Sequence, residues 1–121
     1  MDRPKPKGVM RVARALRNSC NGLIGAFQNE AAFRQGLALA CVVIPLGFWL
    51  GDSGVERALF VAPMVLILLV ELINSAIEAA IDRIGLEHHR LSGLAKDIGS
   101  AAVLVAYLLL AVIWGLILAG R

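Results

Sequence analysis

A chain of 121 residues has room for one domain, and 59% hydrophobic against 17% charged residues excludes an ordinary soluble domain of that size. The composition belongs to an all-α integral membrane protein. A formal charge of +3 is too small to argue for a nucleic-acid partner, and the basic residues gather at one end, which suits an anionic membrane surface.

Residues 1–8 carry Pro4 and Pro6 among Asp2, Arg3, Lys5 and Lys7, a composition that buries no apolar surface and predicts a mobile, cytosolic tail. No short apolar stretch with a small-residue cleavage site follows, and polar residues run on to Gln35. The first apolar segment is therefore expected to stay in the protein. Over residues 9–28, Val9, Val12, Leu16, Cys20, Leu23 and Phe27 recur at helical spacing with Arg11, Arg14, Arg17, Asn18 and Asn21 between them, the pattern of an amphipathic helix lying in the membrane interface.

Three crossings are expected after it, at about residues 30–51, 55–84 and 98–120. The first has a short apolar run, Gly36 to Gly51, so its helix should begin near Glu30. Pro45 should bend it or free a carbonyl, and Trp49 suits an interfacial anchor. Gly51 to Gly54 makes a tight connection. In the second, the apolar run Ala58 to Val70 continues into a polar-striped segment ending near Ile84, with Gly85 as the stop. Leu86 to Ser100 reads as a polar loop before the third crossing. Cys20 and Cys41 have no metal-type spacing to each other or to His88 and His89, and both read as packing residues.

Lys and Arg near the span ends set the orientation. The N-terminal segment holds Arg3, Lys5, Lys7, Arg11, Arg14, Arg17 and Arg34, and the second loop holds Arg83, Arg90 and Lys96. The first loop has only Arg57, and the C-terminus only Arg121. The bias predicts a cytosolic N-terminus, three crossings and an outward C-terminus.

The chemistry concentrates in Glu71-Leu72-Ile73-Asn74-Ser75-Ala76-Ile77-Glu78-Ala79-Ala80-Ile81-Asp82. At about 100° per residue, Glu71, Asn74, Ser75, Glu78 and Asp82 share one face, while Leu72, Ile73, Ile77 and Ile81 point elsewhere. An ionisable stripe entering a bilayer is expensive and marks a functional site by default. Glu71 and Glu78 are separated by about 10.5 Å along the axis. Magnesium usually takes one or two carboxylates and completes its shell with water and phosphate oxygens, so Glu30 with Glu78 can hold it. Glu71 is then the deeper carboxylate, left free as a general base for a lipid hydroxyl, with Asn74 a turn away to orient it. Arg11, Arg90, Lys96 and the two imidazoles are the donors available to clamp phosphates. No P-loop and no Gly-rich kinase loop occurs, so a kinase would rest on a constellation of side chains.

Other roles stay open for single residues. Asn74 and Ser75 can bridge helices or protomers, Asp82 can pair with Arg83 or another nearby base, and His88 and His89 can simply be solvated. A proton relay or transport oligomer would also use Glu71 and Glu78, but has little use for a cytosolic cluster of Glu30, Lys96 and Asp97.

Glu71 to Arg83, together with Asn29-Glu30-Ala31-Ala32-Phe33-Arg34-Gln35 and Leu91-Ser92-Gly93-Leu94-Ala95-Lys96-Asp97-Ile98-Gly99-Ser100-Ala101-Ala102, resembles the signature of the prokaryotic integral-membrane diacylglycerol kinases. The resemblance runs from Gly8 over nearly the whole chain. It implies a homotrimer of three-span protomers, each with a surface helix, in the bacterial cytoplasmic (inner) membrane, using magnesium ATP to convert diacylglycerol to phosphatidic acid. A related branch acts on undecaprenol with the same central motif; Asn29 to Gln35 favours the diacylglycerol branch.

By that resemblance Glu71 is the general base, Asn74 supports the reacting centre, and Glu30 and Glu78 bind metal and nucleotide. Arg11, Asn18, Glu87, His88, His89, Lys96 and Asp97 would complete the nucleotide contacts. The lipid path would be lined by Arg11, Ala15, Leu16, Arg17, Asn18, Ser19, Cys20, Ala32, Phe33, Arg34, Gln35, Gly36, Trp49, Leu50, Gly51, Asp52, Arg57, Glu71 and Ser100. Asn18, Cys20 and Asn21 depart from the aromatic or basic residues of the family pattern, and Gly36 stands where that pattern has an acid.

Overall fold

The computed structural model describes residue 4 and residues 7–121. Most of the expected tail, including Arg3 and Lys5 of the charge count, lies outside the described residues. Four helices follow in order: α1 Val9–Asn29, α2 Ala31–Leu50, α3 Gly54–Ile84 and α4 Arg90–Ala119. Of these α2, α3 and α4 are long and apolar enough to cross a membrane. The 31 residues of α3 extend about 46 Å, against roughly 30 Å of hydrocarbon, so turns of α3 project beyond the apolar layer.

The central helix is α3, packed against α2 on one side and α4 on the other, with α1 resting lightly on α2 and α3. Its inward stripe is Phe60, Met64, Ile67 and Glu71, all buried. Met64 and Ile67 form the core with Ala40 of α2 and Ala106 of α4, flanked by Leu39, Val43, Leu68, Tyr107 and Leu110. Small residues let the backbones approach. A Cβ on Gly36 would stand 3.2 Å from Leu68 Cδ2, and one on Gly47 would stand 2.9 Å from Phe60 Cβ. The two contacts fix an antiparallel register in which the start of α2 lies beside the polar half of α3.

The end of the bundle opposite that half is knit by polar contacts. Ser53 caps α3, its hydroxyl accepting from the Glu56 N–H at 3.1 Å. The Arg121 guanidinium donates to Leu50 O at 2.6 Å and Glu56 Oε1 at 2.7 Å, and lies 3.3 Å from Asp52 Oδ2. It ties the end of α4 to the α2–α3 connection. Nearly two turns into α3, Trp114 Nε1 donates to Phe60 O at 3.1 Å, with the two rings 4.4 Å apart.

Two expectations need correction. The stretch Arg90 to Asp97 is not loop: α4 begins at Arg90, and only residues 85–89 separate α3 from α4. His89 supplies the missing start signal, its Nδ1 accepting from the Leu91 N–H at 3.1 Å. α2 continues helical through Pro45 up to Leu50, the proline lacking the N–H that would bond the Cys41 carbonyl. Cys20 and Cys41, read as packing residues, are both exposed on the chain.

Candidate active site

The polar stripe is the prolongation of the core-facing stripe of α3. Eleven residues beyond Phe60 at about 100° each return to within roughly 20° of the same direction, so Glu71 points where Phe60, Met64 and Ile67 point. Glu71 is 4% exposed, and no other charged residue among those described is buried. Asn74, Ser75 and Glu78 are half-buried above it, and Asp82 is exposed. Ile73 and Ile77 face outward instead, an arrangement suited to lipid outside and polar chemistry inside.

Glu30 comes to this face from the break between α1 and α2, where it alone is extended, at φ −119° and ψ 106°. The register of α2 on α3 sets it beside Ser75, between the levels of Glu71 and Glu78. Glu30 and Ser75 both line an open cleft of about 690 Å³ between α1 and α3, together with Ser19, Leu23, Ala26, Asn29, Leu72, Ala76 and Ala79. Both Glu30 and Glu78 act electrostatically on Glu71. The ion pairs among the described residues lie on Asp52, Glu56 and Asp82, so Glu30, Glu71 and Glu78 form none, while Lys96 lies within electrostatic range of Glu78.

Asn74 meets α4. Its Oδ1 is buried with no hydrogen-bond partner among the described residues, and it lies so close to Gly99 that a Cβ there would overlap it. Oxygen-only donors with an orphaned amide oxygen beside them suit a hard divalent cation in kind. Among the described residues no three acids, histidines or cysteines converge as a metal cage.

The model of the prokaryotic diacylglycerol kinase family matches residues 17–118. The chain belongs to that family. It is 45% identical over 114 residues to the diacylglycerol kinase of Haemophilus influenzae, covering 94% of this chain and 97% of the relative. It is 50% identical over 113 residues to that of Pseudomonas aeruginosa, covering 93% and 92%. The Escherichia coli K12 enzyme of the same name is 43% identical over 111 residues, covering 92% and 91%.

In this diacylglycerol kinase family member the expected site residues divide into groups. Glu30, Glu71, Asn74 and Glu78 come together. Lys96 joins from α4, but its Nζ is held by Asp82 Oδ1 at 2.9 Å, so the neighbouring base expected for Asp82 is Lys96 and not Arg83. Asp97 and Ser100 are exposed on the same helix, while Glu87, His88 and His89 are exposed in the short connection, His89 engaged as the α4 cap. Arg11, Ala15, Leu16 and Ser19 line a groove of about 420 Å³ along α1; Arg17, Asn18 and Cys20 are exposed beside it.

Four residues of the expected lipid path are engaged within the chain. Phe33 and Gly36 are buried within the chain, Gly36 against the end of the Leu68 side chain. Gly51 is buried, and a Cβ there would overlap Arg57 Cγ. Arg34 is exposed but turned back onto α1. Ala32 and Gln35 stay exposed. Trp49, Leu50, Asp52 and Arg57 lie at the other end of α3, about 21 Å along the axis from Glu71 by the 14 residues between positions 57 and 71. Gly99 and Tyr107, the second partly buried and within electrostatic range of Glu71, belong to the site's surroundings without having been singled out. The Gly99 contact has no local sequence signal, since Asn74 lies 25 residues away on another helix.

Proposed function

We propose that this protein is an ATP-dependent lipid kinase that phosphorylates the free hydroxyl of 1,2-diacylglycerol to give phosphatidic acid at the cytosolic face of a bacterial inner membrane. The observation that carries the reading is Glu71, buried in the apolar stripe of α3 yet facing Glu30, Asn74 and Glu78. A carboxylate so placed meets a substrate that arrives from the hydrocarbon with a hydroxyl at its polar end. Family membership supplies the substrate class.

Glu71 takes the hydroxyl proton as the lipid oxygen bonds to the γ-phosphorus and the bond to the β–γ bridging oxygen breaks, leaving ADP. Asn74 holds the reacting hydroxyl or the Glu71 carboxylate in line. Glu30 and Glu78 hold magnesium, which when bound offsets charge on the transferring phosphates. Arg11, Asn18, Lys96, Asp97 and the segment Glu87 to His89 meet the nucleotide, Lys96 by exchanging Asp82 for phosphate. The lipid approaches along the groove of α1.

A homotrimer with the N-terminus inside and the C-terminus outside is part of the same reading. The family resemblance and the charge bias support it. So does the single chain's open site: α1 has no buried residue, and α4 leaves Leu104, Val105, Leu108 and Val112 exposed.

The test is phosphate transfer by the purified protein in mixed micelles containing diacylglycerol, γ-labelled ATP and magnesium. Labelled phosphatidic acid, dependent on all three, is expected. Label in no lipid product, or only with undecaprenol as acceptor, overturns the substrate assignment.

A further inference from the structure

α1 has no buried residue and rests lightly on the bundle, so core packing does not fix its direction. What joins it to α2 is the single extended residue Glu30, the same residue whose carboxylate enters the site. A bare hinge there would let that carboxylate wander. Three of the four terminal carbonyls of α1 have partners at the break.

A helix ends with four carbonyls lacking intrahelical partners and a partial negative charge. In α1 these are Ala26, Phe27, Gln28 and Asn29. Ala26 O accepts from the Glu30 N–H at 2.9 Å. Arg34, one turn into α2, reaches back across the break, its Nη1 donating to Phe27 O at 2.6 Å and to Gln28 O at 3.2 Å. A cation at a helix C-terminus is favourable in itself. Here it also spans two helices, so rotating α1 about Glu30 must break two charge-assisted bonds. Asn29 adds a local bond, Nδ2 to Gly25 O at 2.8 Å.

We propose that Arg34 is a positioning residue: by clamping the last carbonyls of α1 from the first turn of α2 it fixes the α1–α2 break, and with it the Glu30 carboxylate against α3. The inference rests on the reading of Glu30 as a metal-binding carboxylate. It replaces a lipid contact for Arg34 with a backbone contact, and the two roles separate experimentally. A lipid contact governs the KM for diacylglycerol; a clamp on Glu30 governs the response to the divalent ion.

The experiment compares native protein, Arg34→Met, which removes the donors, and Arg34→Lys, which keeps a shorter cation able to reach one carbonyl. Three readouts are taken. Spin labels on Ala13→Cys and Val42→Cys, in a Cys20→Ser, Cys41→Ser background diluted with unlabelled protein, report the α1–α2 distance. Mn²⁺ affinity in the presence of a non-hydrolysable ATP analogue is read from the free-ion resonance. Kinetics give the magnesium requirement and the KM for diacylglycerol.

In Arg34→Met the distance distribution should broaden and the Mn²⁺ dissociation constant and magnesium requirement rise about tenfold, the scale of one or two charge-assisted bonds. The KM for diacylglycerol should stay within about twofold, and Arg34→Lys should fall between. An unchanged distance distribution overturns the clamp. A broadened distribution with unchanged Mn²⁺ affinity overturns its link to Glu30, and a raised KM for diacylglycerol alone restores the lipid contact. Should the native protein phosphorylate no lipid, the reaction reading fails while the distance and Mn²⁺ results still decide the clamp.

Discussion

At position 71 the inward stripe of α3 changes from apolar side chains to a carboxylate without changing direction. The stripe was legible in the sequence because spacings of three and four among Glu71, Asn74, Ser75, Glu78 and Asp82 leave one helical face whatever surrounds it. The partner of Asn74 was not legible, because the contact joins residues on different helices and glycine leaves no side-chain signal. The same holds for Arg34, whose bonds exist only because the chain breaks at Glu30. The Asn74–Gly99 contact predicts that Gly99→Ala costs about 1–3 kcal/mol, the range for overpacking a filled interior. Unfolding in mixed detergent measures it. Combining Gly99→Ala with Asn74→Ala should recover most of the loss, because the overlapping atom is then gone. Additive losses in the double variant would mean that the methyl meets something other than Asn74.

At the scale of elements, apolar runs identified the three long helices, since each of α2, α3 and α4 holds a stretch long and apolar enough to cross a bilayer. The start of α4 escaped because Arg90, Lys96 and Asp97 make residues 90–97 too polar for the hydrocarbon, and polarity was read as loop. A helix need not stop where the membrane does. Leu91, Leu94 and Ile98 keep a helical spacing there, and the histidine cap at position 89 is not among the common N-cap residues. Hydrogen exchange decides the point: amides of Gly93 to Asp97 should be protected, while those of Leu86 to His88 exchange freely. Equal, rapid exchange across residues 86–97 would return the stretch to a loop. The Lys96–Asp82 pair between α3 and α4 adds little to this protection, its two side chains being 42% and 50% exposed.

For the whole molecule, the two ends of the bundle do different work. The end at Asp52, Glu56 and Arg121 is closed by ion pairs and backbone contacts, whereas at the other end Glu30, Glu71 and Glu78 form no ion pair among the described residues and Lys96 is engaged by Asp82. The topology proposed from the charge bias puts the second end at the cytosolic face. In intact cells a membrane-impermeant thiol reagent should therefore label Ser53→Cys in a Cys20→Ser, Cys41→Ser background, and label His88→Cys only after the membrane is opened. The reverse pattern would invert the topology and put the site on the side without ATP.

The central claim is that Glu71 accepts the proton of the lipid hydroxyl. Its most direct test is single-turnover phosphate transfer by Glu71→Gln, with ATP binding and unfolding measured on the same preparation. The amide keeps the shape and removes a buried charge, so the variant should fold at least as stably as the native protein and bind the nucleotide comparably. Transfer should be slower by roughly a hundredfold or more, the scale of general-base catalysis. Transfer at the native rate by a folded, nucleotide-binding Glu71→Gln protein would contradict the account.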